Sequence, residues 1–302
     1  MLHLRVISPS ERSGEVLRIL GGEPGATHVT LGLAAAVDPP GDVIQAEVAR
    51  GSLNDVLAAL TALDLSRTGG ISFVPSGTVI SDAKERADTA APKRRDRTVV
   101  WAQLLDQMRE GARLTPTFLT FLAIAILLSA VGVTTASPLT LVGAMVVGPE
   151  FLPLAALSVG LVRRDTRLIR TSVRTLAISF PVAMVVTWLA TLLWVRLGWI
   201  GVANVEDARA FDFIYQVGPF SLVVALLAGA AGMLAVVSST SAVLVGVFIS
   251  VTTVPAAGLA VVAAFAGKWH IALSSLAQLS VNLMGIVLAG VAVLLLFQRA
   301  DR

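Results

Sequence analysis

Apolar and polar residues alternate in short stretches up to about Thr115, and beyond it long apolar runs are separated by brief polar breaks. At the start, Leu2, Leu4 and Val6 alternate with His3, Arg5 and Ile7, a period of two that predicts a strand. Ser8-Pro9-Ser10-Glu11 then reads as a capping box opening a helix through Leu20, which Gly21-Gly22 ends. A strand follows at about residues 28–33, a turn at Asp38-Pro39-Pro40-Gly41, and a strand at residues 43–49 with Ile44, Ala46 and Val48 on one face. Ser52-Leu53-Asn54-Asp55 resembles a second capping box, for a helix that buries Val56, Leu60 and Leu63, and a last strand spans about residues 71–74. The order βαββαβ predicts a ferredoxin-like α+β domain over residues 1–80, with two helices on one face of a four-stranded antiparallel sheet. His3 is read as a structural residue of its strand.

Residues 81–97 hold few apolar side chains and read as a basic linker in which Lys93, Arg94 and Arg95 meet anionic headgroups. Over residues 98–114, Val100, Trp101, Leu104, Leu105, Met108 and Ala112 recur at helical spacing opposite Gln103, Gln107, Arg109 and Glu110. That pattern predicts an amphipathic interfacial helix lying along the bilayer surface.

Residues 115–298 form the predicted transmembrane domain, with apolar stretches of spanning length at about 116–133, 139–162, 172–195, 219–237, 242–266 and 272–297. Arg163, Arg164, Arg167, Arg170 and Arg174 cluster between the second and third of these six helices. Crossing six helices in turn puts this cluster on the same side as Lys93-Arg94-Arg95, Arg299 and Arg302. The positive-inside rule makes that side the cytoplasm, so both termini are cytoplasmic, and the segment 197–218 with Glu206, Asp207, Arg209 and Asp212 lies outside.

Residues 141–179 set against 244–282 without gaps pair Leu141-Val142-Gly143 with Leu244-Val245-Gly246, Ser172 with Ser275 and Leu176 with Leu279. The pairing predicts two repeats, about 115–198 and 219–298, each of three helices. Three is odd, so the second repeat runs through the membrane in the opposite sense, the inverted-repeat plan of many secondary transporters. Interrupted helices in that plan leave backbone groups facing a shared cavity, and here the interruptions fall at Gly148-Pro149-Glu150-Phe151-Leu152-Pro153 and Thr252-Thr253-Val254-Pro255.

Composition agrees with a bilayer as solvent: 55% of residues are hydrophobic and 14% charged, and the mean hydropathy is +0.81. The net charge of +3 and the pI near 9.9 reflect arginines beside membrane segments, so no nucleic-acid partner is expected. Absence of cysteine removes any disulfide framework or thiolate metal site, and His3, His28 and His270 are too few and too scattered for a zinc centre. No metal or cofactor is expected. The N-terminus lacks the apolar core and cleavage site of a signal peptide, which places the ferredoxin-like domain in the cytoplasm.

The run Val142-Gly143-Ala144-Met145-Val146-Val147-Gly148-Pro149, with Pro153 and then Asp165 and Leu168 after the helix, resembles the bacterial membrane family called domain of unknown function 389. The resemblance extends over nearly the whole chain, including the N-terminal domain, the amphipathic helix, Val245-Gly246 and Pro255. It implies the architecture above in the bacterial cytoplasmic membrane and no established activity. The chain departs from the family at Gly148 and Glu150, where members commonly carry a Ser and an apolar residue, so a role for Glu150 is not inherited.

Glu150 is the one acidic residue deep in a predicted span. A charged carboxyl group there costs several kcal/mol, so it faces a cavity, finds a partner or takes up a proton. It is read as a proton or cation site; the alternative is a protonated acid that holds a helix break together. Gly148, Pro149 and Pro153 shape its surroundings, and Ser250, Thr252, Thr253, Pro255 and Asn282 are the candidate site residues of the second half. Hydroxyls and amides of this kind also serve as ordinary interhelical hydrogen-bond partners. No Ser/His/Asp set, paired carboxylates or phosphate-binding glycine loop accompanies them, so an enzyme is not expected. The leading expectation is a secondary transporter of a small solute or ion, regulated by its cytoplasmic domain, embedded in lipid and assembled as a homo-oligomer. A channel is the nearest rival. A membrane-anchored sensor or scaffold, whose soluble domain binds a small-molecule ligand, is the rival from another class.

Overall fold

The computed structural model describes residues 1–77, 80–91, 101–199, 218–238 and 253–300. It divides into two compact units, an N-terminal α/β unit and a helical unit over Ala102–Leu296.

In the N-terminal unit the elements run β1 (Leu2–Ser8), α1 (Ser10–Gly22), β2 (Ala26–Val37), β3 (Pro40–Val48), α2 (Arg50–Ala62), the short α3 (Leu65–Thr68), β4 (Gly70–Pro75) and α4 (Asp82–Ala90). The sheet order β2-β3-β1-β4 with antiparallel pairing throughout is the ferredoxin-like arrangement. Alternation explains it: Leu2, Leu4 and Val6 on β1 and Ile44, Ala46 and Val48 on β3 point to the helix side, where they bury with Val16, Leu20, Leu53, Val56 and Leu60. His3, on the opposite face, pairs with Glu47 at 2.9 Å.

Neither capping box forms. Pro9 stands at the N-cap of α1 and Ala49 at that of α2, both without a side-chain cap bond. Ser10 and Ser13 instead donate to the carboxylate of buried Asp42 across the domain, at 3.1 and 2.7 Å, because a carboxylate is a stronger acceptor than a neutral partner. Part of the stretch read as a linker is also ordered as α4, whose N-cap Ser81 accepts from the N–H of Ala83.

The helical unit contains α5 (Trp101–Gly111), α6 (Pro116–Thr134), α7 (Pro138–Val147), α8 (Phe151–Arg163), α9 (Thr166–Arg196), α10 (Pro219–Val237), α11 (Thr253–Phe265) and α12 (Trp269–Ala300). Among the described residues four helices are long and apolar enough to cross a membrane, or five when α7 and α8, bent by 50° at their junction, count as one broken span. Such a protein is an integral membrane protein of the helical type. The expected fifth span, 242–266, is described only in its second part, α11. The loop between the second and third spans is shorter than expected: Arg163 ends α8, Arg164 adopts the left-handed conformation, Asp165 caps α9, and Arg167, Arg170 and Arg174 already lie on α9. Arg163, Arg164 and Arg167 are exposed, whereas Lys93, Arg94 and Arg95 lie outside the described residues.

Helix α5 forms within the stretch where helical spacing predicts it. Its apolar face is covered by protein: Leu104, Met108 and Ala112 are buried, a Cβ on Gly111 would meet Leu152, and the carbonyl of Ala112 accepts from Thr175 at 2.7 Å. Helical periodicity identifies an apolar face without saying whether lipid or protein covers it.

A shift of 103 residues, the separation of Glu150 and Thr253, carries α6 onto α10 and α9 onto the 31 residues Trp269–Arg299 of α12. The details repeat as well. Pro stands in the first turn of both α6 and α10. Both α8 and α11 end in the same turn, Arg164 at φ 56° and Gly267 at φ 73°. In the first the N–H of Asp165 donates to Gly160 O at 3.0 Å, and in the second that of Lys268 donates to Ala263 O at 2.8 Å.

Asp42 supplies a pH test of the N-terminal unit. The Ala34 N–H, then the Ser13 and Ser10 hydroxyls, hold its carboxyl below the ordinary carboxylate range. A depressed native value means stability present above the unfolded pKa, about 3.9, and lost as pH falls through the native one. A fragment of residues 1–91, which keeps α4, is expected to fold alone with mixed helix and strand circular dichroism. Its melting temperature is expected to fall on acidification below pH 4, with a shallower fall in Asp42→Asn; an unchanged pH profile in that variant would remove Asp42 from the account.

Candidate functional site

Helix α7 stops at Val147 because Pro149 has no N–H and its ring disfavours helical backbone at the residue before it; Gly148 accordingly sits at φ −64°, ψ 124°. Helix α8 starts afresh at Phe151 with Glu150 at its N-cap position. A third residue from the predicted break, Pro153, falls in the first turn of α8, where its missing N–H is no loss. The interruption is therefore narrower than expected, three residues from Gly148 to Glu150.

Glu150 does not cap its own helix. Its carboxylate reaches across to α11, where Oε1 accepts the Thr253 hydroxyl proton at 2.5 Å. The group is buried, with 7% of Glu150 exposed, and Oε2 has no hydrogen-bond partner among the described residues. Thr253 is the first described residue of α11, and Glu150 immediately precedes α8, so the N-terminus of α8 stands beside the carboxyl group. The free N–H groups there carry partial positive charge that favours a negative oxygen.

The room for this contact comes from Gly148. A Cβ on it would lie 2.4 Å from Glu150 Oε2 and 2.8 Å from Val254 Cγ2. Buried around the contact are Thr253, Val254 and Pro255, and the Pro255 carbonyl accepts from Ser129 of α6 at 3.5 Å. A second glycine makes that crossing possible, since a Cβ on Gly258 would meet Ser129 Oγ. Helix α11 thus packs into the first half, while Ser158 of α8 donates to the Val287 carbonyl of α12 at 3.2 Å in the second.

Of the residues singled out from sequence, Gly148, Pro149, Glu150 and Thr253 come together, with Pro153 and Pro255 one helical turn away or less. Asn282 is buried elsewhere, on α12, where it accepts from Gln278 at 3.0 Å. Ser250 and Thr252 lie outside the described residues. Sequence reading did not foresee that Thr253 would bind the carboxylate, although the ungapped repeat alignment already set Glu150 opposite Thr253. Nor did it foresee Gly148 as a spacer. Among the described residues no group of three or more His, Asp or Glu could hold a metal ion.

Gly148→Ala is expected to lower the stability of the solubilised protein by about 1–3 kcal/mol, the usual cost of forcing volume into a packed interior. Gly143→Ala on the same stretch, whose Cβ meets open space, is expected to be neutral or stabilising. Thermal unfolding in detergent compares the two; equal melting temperatures would remove the tight packing of Gly148 against Glu150.

Residues 145–288 match the family model described as "Domain of unknown function (DUF389)", a range that begins on α7 beside the break and ends on α12. Neither a curated protein nor a solved structure matches the chain. The break at Gly148–Glu150, Thr253 and most of the long helices α9 and α12 fall inside the matched range, so this part of the chain is similar to the domain of unknown function 389 family.

Proposed function

We propose that the helical unit is a secondary transporter of a small solute or ion, with six spans arranged as two inverted three-helix repeats and with Glu150 and Thr253 at the centre of its site. The observation that carries this reading is the bond between Glu150 and Thr253. These residues occupy equivalent positions in the two repeats, and equivalent residues touch each other only where a two-fold axis passes between them. In inverted-repeat transporters the solute site lies at that interface and is built from interrupted helices. The partnerless Oε2 of Glu150 is the group available to a proton, a cation or a donor on the solute. Rocking of one repeat against the other would expose it to each side in turn.

Orientation follows from charge: the arginines at the α8–α9 junction, the N-terminal unit and the C-terminus face the cytoplasm, and the N-terminal unit regulates transport from there. The chain has no cysteine, so introduced thiols report without background. Thiols in Asp165→Cys and Arg302→Cys are expected to be shielded from impermeant reagents in intact cells, and that in Asp207→Cys labelled. Labelling at 165 with shielding at 207 would invert the topology.

Proteoliposome flux tests the function. A saturable, counterflowing flux is expected, as distinct from the non-saturating conductance of a channel. Glu150→Gln keeps size and hydrogen bonding while removing titration, and is expected to abolish proton-coupled accumulation while leaving passive exchange. Wild-type coupling in Glu150→Gln would sink the role of Glu150, and the absence of flux for any solute would favour a sensor or scaffold.

A further inference from the structure

Hydroxyl groups on the helices of this chain ordinarily donate to the carbonyl four residues back, as Thr134, Ser158, Thr187, Thr191 and Ser280 do. Ser172 and Ser179 on α9 and Ser275 on α12 depart from that habit. All three are fully buried, and their Oγ atoms have no partner among the described residues. Gln278 adds a fourth such atom: its Nε2 donates to Asn282, and its Oε1 is left without a partner.

These residues form two matching rows. Ser172, Thr175 and Ser179 are spaced three and four apart and so share one face of α9. The shift that relates Glu150 to Thr253 carries them onto Ser275, Gln278 and Asn282 of α12. The outward faces of both helices are apolar, with Val173 and Val182 exposed on α9 and Leu273 and Met284 on α12. A polar inward face with empty hydrogen-bonding positions is costly in a bilayer protein unless water or a solute fills them. Interhelical bonding is the usual use of such groups, and four of the atoms make none among the described residues. The rows adjoin the site: Phe180 and Leu279, next to Ser179 and Gln278, belong to the same buried cluster as Val254, which flanks Gly148.

We infer that the two rows line two hydrated half-paths, one in each repeat, that admit a small uncharged hydrogen-bonding solute, with water as the minimal occupant. The chemistry of the rows selects this class. They present hydroxyls and amides and no charged side chain to balance an ion. A row whose ends lie about seven residues apart covers about 10 Å, whereas the oxygens around a bound Ca²⁺ converge within about 2.3–2.6 Å of one point. This inference deepens the transport reading and rests on it for the identity of the permeant as a transported solute.

The test uses the full chain in proteoliposomes with Ser172→Cys, Ser179→Cys and Ser275→Cys made singly, and Val173→Cys and Leu273→Cys as lipid-facing controls. The thiolate that reacts forms only where water reaches the sulfur, so the row positions are expected to react with a small neutral methanethiosulfonate about tenfold faster than the controls, or more. The neutral reagent is expected to outpace the anionic ethylsulfonate form, with Ser172→Cys and Ser275→Cys modified from opposite sides. Row positions as inert as the controls would overturn the half-paths, equal rates for neutral and anionic reagents the solute class, and modification from one side the assignment of one path to each repeat. Melting temperatures of Ser172→Ala and Ser275→Ala give a second measure: a hydrated hydroxyl leaves them unchanged or lowered, while a rise marks a dry, partnerless hydroxyl and refutes the proposal. Thiol reactivity does not depend on flux. Reactive rows without any flux would count against transport alone, and dry rows with Glu150-dependent flux against this inference alone.

Discussion

A helix interrupted inside a bilayer frees backbone and side-chain polar groups where no bulk water can meet them, and the helical unit is organised around that constraint. Pro149 ends α7, and the residue that follows is a carboxylic acid, the most demanding group to leave alone there. Its hydrogen bond with Thr253 crosses to α11, which ties the first half of the unit to the second. Small residues let that tie form. Gly148 makes room for the carboxylate, and Gly258 lets α11 approach α6 closely enough for Ser129 to reach the Pro255 carbonyl.

Helix α5 extends the arrangement toward the N-terminal side of the chain. Gly111 packs against Leu152, two residues past Glu150, and the Ala112 carbonyl holds Thr175 on α9. Arg109 lies 3.5 Å from Asp165, the N-cap of α9, whose carboxyl the Leu168 and Arg167 N–H groups and Arg109 hold below the ordinary range. One short helix therefore touches α8 just past the break, the turn at its far end and the helix that follows.

Much of the architecture is legible in residue order because its causes are local. Period-two alternation marks β1 and β3, Pro149 marks the interruption, and the ungapped alignment of 141–179 with 244–282 contains the same register that relates α6 to α10. Where sequence reading fails, the winning interaction is distant. In the first predicted capping box Ser8 turns to the Pro9 carbonyl and Ser10 to Asp42, which is remote in sequence and adjacent in space. The apolar face of α5 is real, yet periodicity cannot distinguish a lipid headgroup layer from Leu152 and its neighbours. Ser172 and Ser275 stand out as an aligned pair, but whether a hydroxyl turns back to its own helix or inward to an empty position is decided by packing alone.

Gly148 and Glu150, the two positions where the resemblance to the family implies other residues, look independent in the sequence and adjoin in space. A side chain at position 148 would occupy the volume that Glu150 Oε2 now fills, within 2.4 Å of the place where its Cβ would stand. A serine at 148 with an apolar residue at 150 would put a hydroxyl where this chain puts a carboxylate oxygen. The polar group at the interruption is thus kept in position while its chemistry changes from a neutral donor and acceptor to an acid. An acid can exchange a proton with a solute path, and a hydroxyl at that position cannot do so at ordinary pH.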